Sequence, residues 1–179
     1  MAKVACIGTR EVEPDKVRLL IDIGNYLARK GYTISSGNAT GADYLYAQGA
    51  NQVNPKLVEL HLPWGGYNRE HIKPGNKIFI DGDKKEYRAL ASQLHPKWES
   101  LTRGPMALHA RNVGIITGCC LVIALSNPKK IGGGGTGMGI RIAQKLGIKV
   151  LDLSKEEDLA KVTSKLAEDD LQLKLAAAG

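Results

Sequence analysis

Short apolar runs alternate along this chain with longer segments of helical periodicity. Lys3 to Gly8, Tyr32 to Ser35, Leu57 to Leu62, Cys119 to Leu125 and Lys149 to Leu153 each read as a short buried strand. After the first of them Pro14 opens a helix, where its missing N–H costs nothing. Val17, Leu20, Ile21, Gly24 and Leu27-Ala28 recur there at helical spacing, and Lys30-Gly31 ends the helix with a cation and a left-handed cap. Ala42 to Asn51 and Leu108 to Ile116 predict further helices. Ile140 to Leu146 predicts another, stopped by Gly147, and Ser154 with Glu157 forms a capping box for a last helix reaching about Leu166.

The stretch from Trp64 to Pro105 breaks the alternation. It carries Gly65-Gly66, Pro74-Gly75 and Asp81-Gly82-Asp83, all turn signals, around one helical segment, Lys85 to Leu94. It reads as an elaboration lying over the C-terminal edge of the sheet as a lid or partner surface. The expected fold is α/β: a doubly wound, mainly parallel five-stranded sheet with helices on both faces. Residues 1–167 are expected to form one domain. Residues 168–179 form a tail whose end, Lys174 to Gly179, looks vector-derived.

Composition refines this picture. Hydrophobic residues make up 43% of 179, enough for a sizeable core in one domain, and no apolar run is long enough to span a bilayer. The start runs directly into the first strand without the pattern of a signal peptide. Cys6, Cys119 and Cys120 lie in apolar stretches at spacings that match no metal site, so reduced thiols in a cytoplasmic protein are expected, with no metal and no cofactor. The net charge is +7, and residues 106–153 carry six Lys or Arg against one acid, Asp152. Such an excess favours an anionic partner or simply keeps the protein soluble.

Three glycine-bearing loops follow predicted strands and lead into helices. They are Gly8-Thr9-Arg10, the run Ser36-Gly37-Asn38-Ala39-Thr40-Gly41-Ala42-Asp43, and Gly132-Gly133-Gly134-Gly135-Thr136-Gly137. In a parallel sheet all strand C-termini lie on one edge, so the loops converge there, at the usual ligand site of open α/β sheets. Glycines let backbone approach a phosphate, and helix N-termini supply free N–H groups and partial positive charge. A tight turn would explain Gly8 alone; four consecutive glycines carry an entropy cost that a turn does not require. Arg111, beside Asn112, suits a phosphate or a surface salt bridge. His109 is an acid–base candidate or a structural residue. Asp43 fits a ribose contact, a base, or a first-turn acid favoured by the helix dipole. No nucleophile–base pair stands out, and the P-loop signature and Gly-x-Ser-x-Gly are absent.

These loops, in this order over residues 3–153, resemble the SLOG superfamily. That group includes the Rossmann-like core of DNA-processing protein A, the lonely-guy phosphoribohydrolases, and many small phage and bacterial proteins. The resemblance implies a Rossmann-like domain binding a nucleotide or nucleotide-derived phosphate ligand through Gly8, Thr9, Arg10, Ser36, Gly37, Asn38, Thr40, Gly41, Asp43, Arg111, Asn112 and Gly133 to Gly137. Gly37, Gly133, Gly135 and Thr136 are expected to line one pocket with Arg10 and Arg111 near its mouth. The phosphoribohydrolases resemble Pro-Gly-Gly-x-Gly-Thr-x-x-Glu at the last loop, and this chain has Gly139 where that catalytic Glu falls.

Three functions follow as expectations. The first is a nucleotide-ligand sensor or binding protein. The second is a nucleotide-processing hydrolase, with an acid from Glu70, Asp81 or Asp83. The third is a single-stranded DNA-binding protein similar to DNA-processing protein A, for which Trp64, Tyr67 and Trp98 are the stacking candidates. The resemblance also implies a homo-oligomer, most simply a dimer. Leu108, Val113, Ile115 and Ile116 spread over a wide helical arc that needs cover, either from a second copy or from the chain's own sheet and elaboration.

Overall fold

A computed structural model describes residues 2–178; Met1 and Gly179, the outer ends of the readings on the start and the tail, lie outside the described residues. The chain forms strands β1 (Lys3–Gly8), β2 (Thr33–Ser36), β3 (Val58–Leu62), β4 (Lys77–Ile80), β5 (Leu121–Leu125) and β6 (Lys149–Asp152). Helices are α1 (Pro14–Arg29), α2 (Ala42–Asn51), α3 (Lys85–Leu94), α4 (Arg103–Ile116), α5 (Gly134–Lys145) and α6 (Glu156–Ala178). The sheet order is β4-β3-β2-β1-β5-β6 and every pairing is parallel. Strand order therefore reverses between β1 and β5, which pair Ala5 with Val122 and Ile7 with Ala124.

Alternation along the strands separates two cores. Val4, Cys6, Ile34, Leu60, Ile123 and Leu125 face α1, α2 and α6. Ala5, Ile7, Val122 and Ala124 face α3, α4 and α5. Each fully buried Leu or Ile contributes roughly 1.5–3 kcal/mol over its exposed state. Helix α1 starts at Pro14 and buries Leu20, Ile23, Gly24, Leu27 and Ala28, one apolar stripe. It presses against α2 closely enough that a Cβ at Gly24 or Gly49 would overlap backbone of the other helix.

Five strands were expected and six are present. The additional strand is β4, which comes from residues 64–105; only four residues long and bounded by turns, it left no periodic signal. That stretch is therefore not wholly a lid. β4 widens the sheet sideways and α3 covers one of its faces, while the loop through Tyr67 and Asn68 and the chain at Pro105 reach the strand C-terminal edge. There Asn38 Nδ2 donates to the carbonyls of Tyr67 (3.0 Å) and Asn68 (3.1 Å), and Asn68 Nδ2 donates back to Asn38 O at 2.9 Å.

Three helix boundaries also differ from the expectation. Helix α4 begins at Arg103, with Pro105 among first-turn residues whose N–H needs no intrahelical acceptor. Helix α5 begins at Gly134, so the second half of the glycine run is helical; tertiary burial of Gly137, Met138 and Gly139 outweighs the poor propensity of glycine. Helix α6 passes Leu166 and continues to Ala178, anchored by buried Asp169, which accepts from Arg29 Nη1 at 2.6 Å and Lys30 Nζ at 2.7 Å. Ser154 does not act as the expected cap. Its hydroxyl donates to Asp152 Oδ1 at 2.8 Å instead.

Candidate functional site

A cavity of about 360 Å³ opens at the C-terminal ends of β1 and β5, where the strand order reverses. Its walls are the first loop (Gly8, Thr9, Arg10, Glu11), the Ser126–Asn127 turn after β5, the glycine run from Gly132 to Gly137, and one face of α4 with Pro105, Leu108, His109, Arg111 and Asn112. Asp43 reaches it from the start of α2.

The glycine run shapes one wall. Gly132 and Gly134 hold positive φ of 72° and 63°, which turns the chain so that α5 starts facing the cavity. Gly133 N donates to Lys130 O and Gly137 N to Gly133 O, closing the turn. Gly134, Gly135 and Thr136 occupy the first helical turn, and among the described residues their amides find no backbone acceptor. Asn112 Nδ2 donates to Gly135 O at 3.2 Å and ties this turn to α4. A Cβ at Gly135 would meet nothing nearer than Asn112 Nδ2 at 3.7 Å, so that position opens into the cavity. The wall thus combines three converging donors with the positive end of a helix, a setting for an anion.

Not all expected ligand residues line the cavity. Gly8, Thr9, Arg10, Asp43, Arg111, Asn112 and Gly133 to Gly137 do. Ser36, Gly37, Asn38, Thr40 and Gly41 do not. Ser36 is fully buried and its hydroxyl donates to Cys6 O at 2.7 Å. Asn38 clamps the Tyr67–Asn68 loop, Thr40 is exposed outside, and Gly41 packs against the backbone of Thr9 and Arg10. The placement of Gly37 in the pocket and of Arg111 at its mouth is corrected. Arg111 is buried at the floor, where Nη1 donates to Gly37 O and, at 3.3 Å, to His61 O. A Cβ at Gly37 would collide with that guanidinium, so this glycine makes room for Arg111 rather than for a ligand.

Asp43 explains the arrangement. Its Oδ2 accepts from Gly37 N at 3.2 Å and Ala39 N at 3.4 Å, and so organises the second loop. Burial raises its pKa; the Arg111 charge and the amides of Ala39, Gly37 and Gly8 work against that rise. Burial in turn lowers the Arg111 pKa while Asp43 opposes it. The two are buried opposite charges that act on each other through space, each hydrogen-bonded to backbone groups. Beside them on α4, His109 is driven down to about 4, first by burial and then by His95 and Arg141, so its ring is neutral at pH 7.

No acid from the 64–105 stretch reaches the cavity. Glu70 and Asp83 are exposed elsewhere, and Asp81 is buried against His61 (2.5 Å) and Lys84 (2.5 Å). Position 139, where the phosphoribohydrolases carry their catalytic Glu, holds a glycine packed on the Ile7 side chain; a Cβ there would lie 2.5 Å from Ile7 Cδ1 and push that side chain aside. Among the described residues no group of His, Cys, Asp and Glu is arranged to hold a metal, and no helix is long and apolar enough to cross a membrane. Among the cavity residues not anticipated from sequence are Ser126 and Asn127 in the turn after β5. They follow a strand at the same edge, and the rule that pointed to the other loops could have found them.

Beside the cavity rim, exposed Trp64 and Arg10 meet half-buried Tyr67. Trp64 and Tyr67 meet edge to face at 5.4 Å, Arg10 Nη2 donates to Tyr67 Oη at 3.5 Å, and the Arg111 guanidinium lies 5.6 Å from the Tyr67 ring centre.

Sheet order, cavity position and glycine-lined helix start together define an α/β protein of the SLOG-type, Rossmann-like class. Within that class the chain belongs to the DNA recombination-mediator protein A family, whose model matches residues 1–173. Comparison with curated proteins found no match. Among solved structures the chain is similar to DNA processing protein A of Helicobacter pylori, described for its single-stranded DNA binding mode: 21% identity over 92% of this chain and 72% of that one, TM-score 0.58. It is similar to DprA of Streptococcus pneumoniae at 18% identity, covering 94% of this chain and 56% of that one, TM-score 0.59. The molybdenum cofactor carrier protein of Chlamydomonas reinhardtii shares 13% identity over the full length of both chains, with a TM-score of 0.58.

Proposed function

We propose that this chain, as a single domain that α6 extends past residue 167, binds the phosphate of a nucleotide or nucleotide-derived ligand in the cavity between β1 and β5, as a binding or sensing protein. The observation that carries this reading is the first turn of α5: Gly134, Gly135 and Thr136, whose amides have no backbone acceptor among the described residues, line a cavity of mononucleotide scale, with open space at both glycines. Lys130 and Arg10 at the rim add charge. Two solved relatives in fold are described by a ligand they hold, one single-stranded DNA and the other the molybdenum cofactor, which is in keeping with a ligand-binding role. Titration calorimetry with inorganic phosphate, a nucleoside monophosphate and a short oligothymidylate tests the reading. Saturable heat with at least one of them is expected, and silence with all three refutes it.

A second reading, binding of single-stranded DNA, is favoured by the Trp64–Tyr67–Arg10 strip beside the cavity. It pairs an aromatic platform with a cation next to the anion site, as sequence-tolerant strand binders do. Binding to oligothymidylate that weakens steeply with salt and with Trp64→Ala supports it. Tight binding of the monophosphate without oligonucleotide binding removes it. The hydrolase reading has no acid in the cavity other than the loop-organising Asp43 and the exposed Glu11. Unpaired thiols at Cys6, Cys119 and Cys120 suit work in the cytoplasm. Assembly as a homo-oligomer also belongs to this proposal, but α4 does not supply its face. Val113, Ile115 and Ile116 are buried within the chain.

A further inference from the structure

The unsatisfied apolar surface lies at the opposite flank, on β4. Its four residues, Lys77, Ile78, Phe79 and Ile80, are all exposed although they belong to the sheet. Among the described residues β4 pairs only with β3, which leaves a row of backbone donors and acceptors open to solvent. Edge strands are normally blunted by shortness and by charge. Here Lys77 is the only charge in the strand, and it leans back toward Glu59 at 3.7 Å. Ile80 is 58% exposed, Trp64 44%, Ile78 40% and Phe79 38%. Ile78 and Ile80 continue the sheet face of Leu60 and Leu62, beyond the reach of α2; Phe79 lies on the other face, stacked on His61 at 4.9 Å.

We propose that two copies of this chain join through β4, edge to edge and antiparallel, about a two-fold axis normal to the sheet. This supplies the interface of the homo-oligomer proposed above and rests on that part of the reading alone. A strand's own copy is its complement in this arrangement, because antiparallel pairing satisfies the same donors and acceptors from both sides. An axis normal to the sheet keeps each face continuous, so only residues of one face can stand opposite each other. A slip by one residue would violate this. Pairing centred on Phe79 meets the condition: Phe79 stands opposite its own copy, and Ile78 opposite Ile80 on the other face. That joins the apolar pairs on both faces and makes one twelve-stranded sheet from two six-stranded ones. The exposed parts of Ile78, Phe79 and Ile80 offer roughly 300 Å² per copy before backbone and flanking residues are added, so the pairing falls at the weak, small end of interface sizes and is sought at high protein concentration.

Light scattering on the full chain after size exclusion, at about 100 µM, gives the first test. A mass of twice 19.3 kDa is expected. Ile80→Lys, a change at the most exposed β4 position, should return the mass to one chain without altering the far-ultraviolet circular dichroism. In a Cys120→Ser background, Phe79→Cys should form a covalent dimer on mild oxidation, since opposed residues of an antiparallel pair sit ~4.5–5.5 Å apart at Cα, within disulfide reach. A wild-type mass of one chain overturns both the oligomer and this interface. A dimer that survives Ile80→Lys, or that fails to cross-link through position 79, overturns the β4 interface and leaves the oligomer standing on another face. Neither result bears on ligand binding in the cavity.

Discussion

The side-chain amide of Asn112 on α4 donates to the carbonyl oxygen of Gly135 in the first turn of α5, at 3.2 Å. This contact joins the two walls of the cavity. It sets how far the three free amides of α5 stand from Arg10 and from the floor occupied by Arg111. Asn112→Ala should therefore weaken phosphate-ligand binding by roughly tenfold while costing only about 1 kcal/mol of stability, the scale of one hydrogen bond. Calorimetric affinity beside a denaturant melt separates the two; an unchanged affinity means that the tie does not shape the site.

Gly135→Val addresses the same wall directly. The position has open space for a Cβ and ordinary negative φ, so the side chain enters the cavity and not the core. Loss of phosphate-ligand binding is expected with a melting temperature within a few degrees of the parent. Retained binding would place the ligand elsewhere.

Gly37→Ala should behave in the opposite way. Its methyl group would displace the guanidinium of Arg111 and loosen the compensation of buried Asp43. The guanidinium would also lose its buried hydrogen bonds to Gly37 O and His61 O, at roughly 1–3 kcal/mol for a buried polar group left unpaired. Urea unfolding should show a fall of that order, and Arg111→Leu should match it. A near-neutral Gly37→Ala would mean that Arg111 is free to move.

His109 sets a pH dependence. Its folded pKa of about 4 lies below the ordinary histidine value near 6.5, through burial first and neighbouring His95 and Arg141 after it. Between these values the unfolded chain holds more protons, so stability falls as pH drops from about 6.5 toward 4. His109→Phe should flatten that limb of a melting-temperature profile and leave values above pH 7 little changed. A limb of equal slope in the variant would assign it to other groups.

Asp169 gives the complementary case. Hydrogen bonds from Lys30 and then Arg29 hold its carboxyl below the ordinary carboxylate range. A depressed carboxylate adds stability above its unfolded pKa, and the contribution is lost as pH falls through the folded value. Asp169→Asn should thus lower the melting temperature at pH 7, with a gap to the parent that closes on acidification below about pH 4. A gap constant with pH would mean that the loss is packing and not charge.

The strand–helix alternation, the parallel sheet, and the convergence of three glycine loops on one edge were legible in the residues themselves. They depend on local periodicity and on the rule that parallel strands share an edge, both of which a linear pattern carries. Pro14 at the start of α1 and Gly31 after its end are of this kind, set by φ preferences of single residues. What the linear pattern could not carry was decided by packing. Four residues between turns became β4 because β3 offers them an edge, and six glycine-rich residues joined α5 because burial of Gly137, Met138 and Gly139 outweighs their propensity. Gly37 and Arg111 both read as ligand residues in the sequence. In the fold one is the space the other fills, a relation between a missing Cβ on the loop after β2 and a guanidinium reaching it from α4, 74 positions later. Three-dimensional proximity of that range leaves no trace in spacing, so only the tertiary structure could separate the glycines that face a ligand from those that make room for the protein's own side chains.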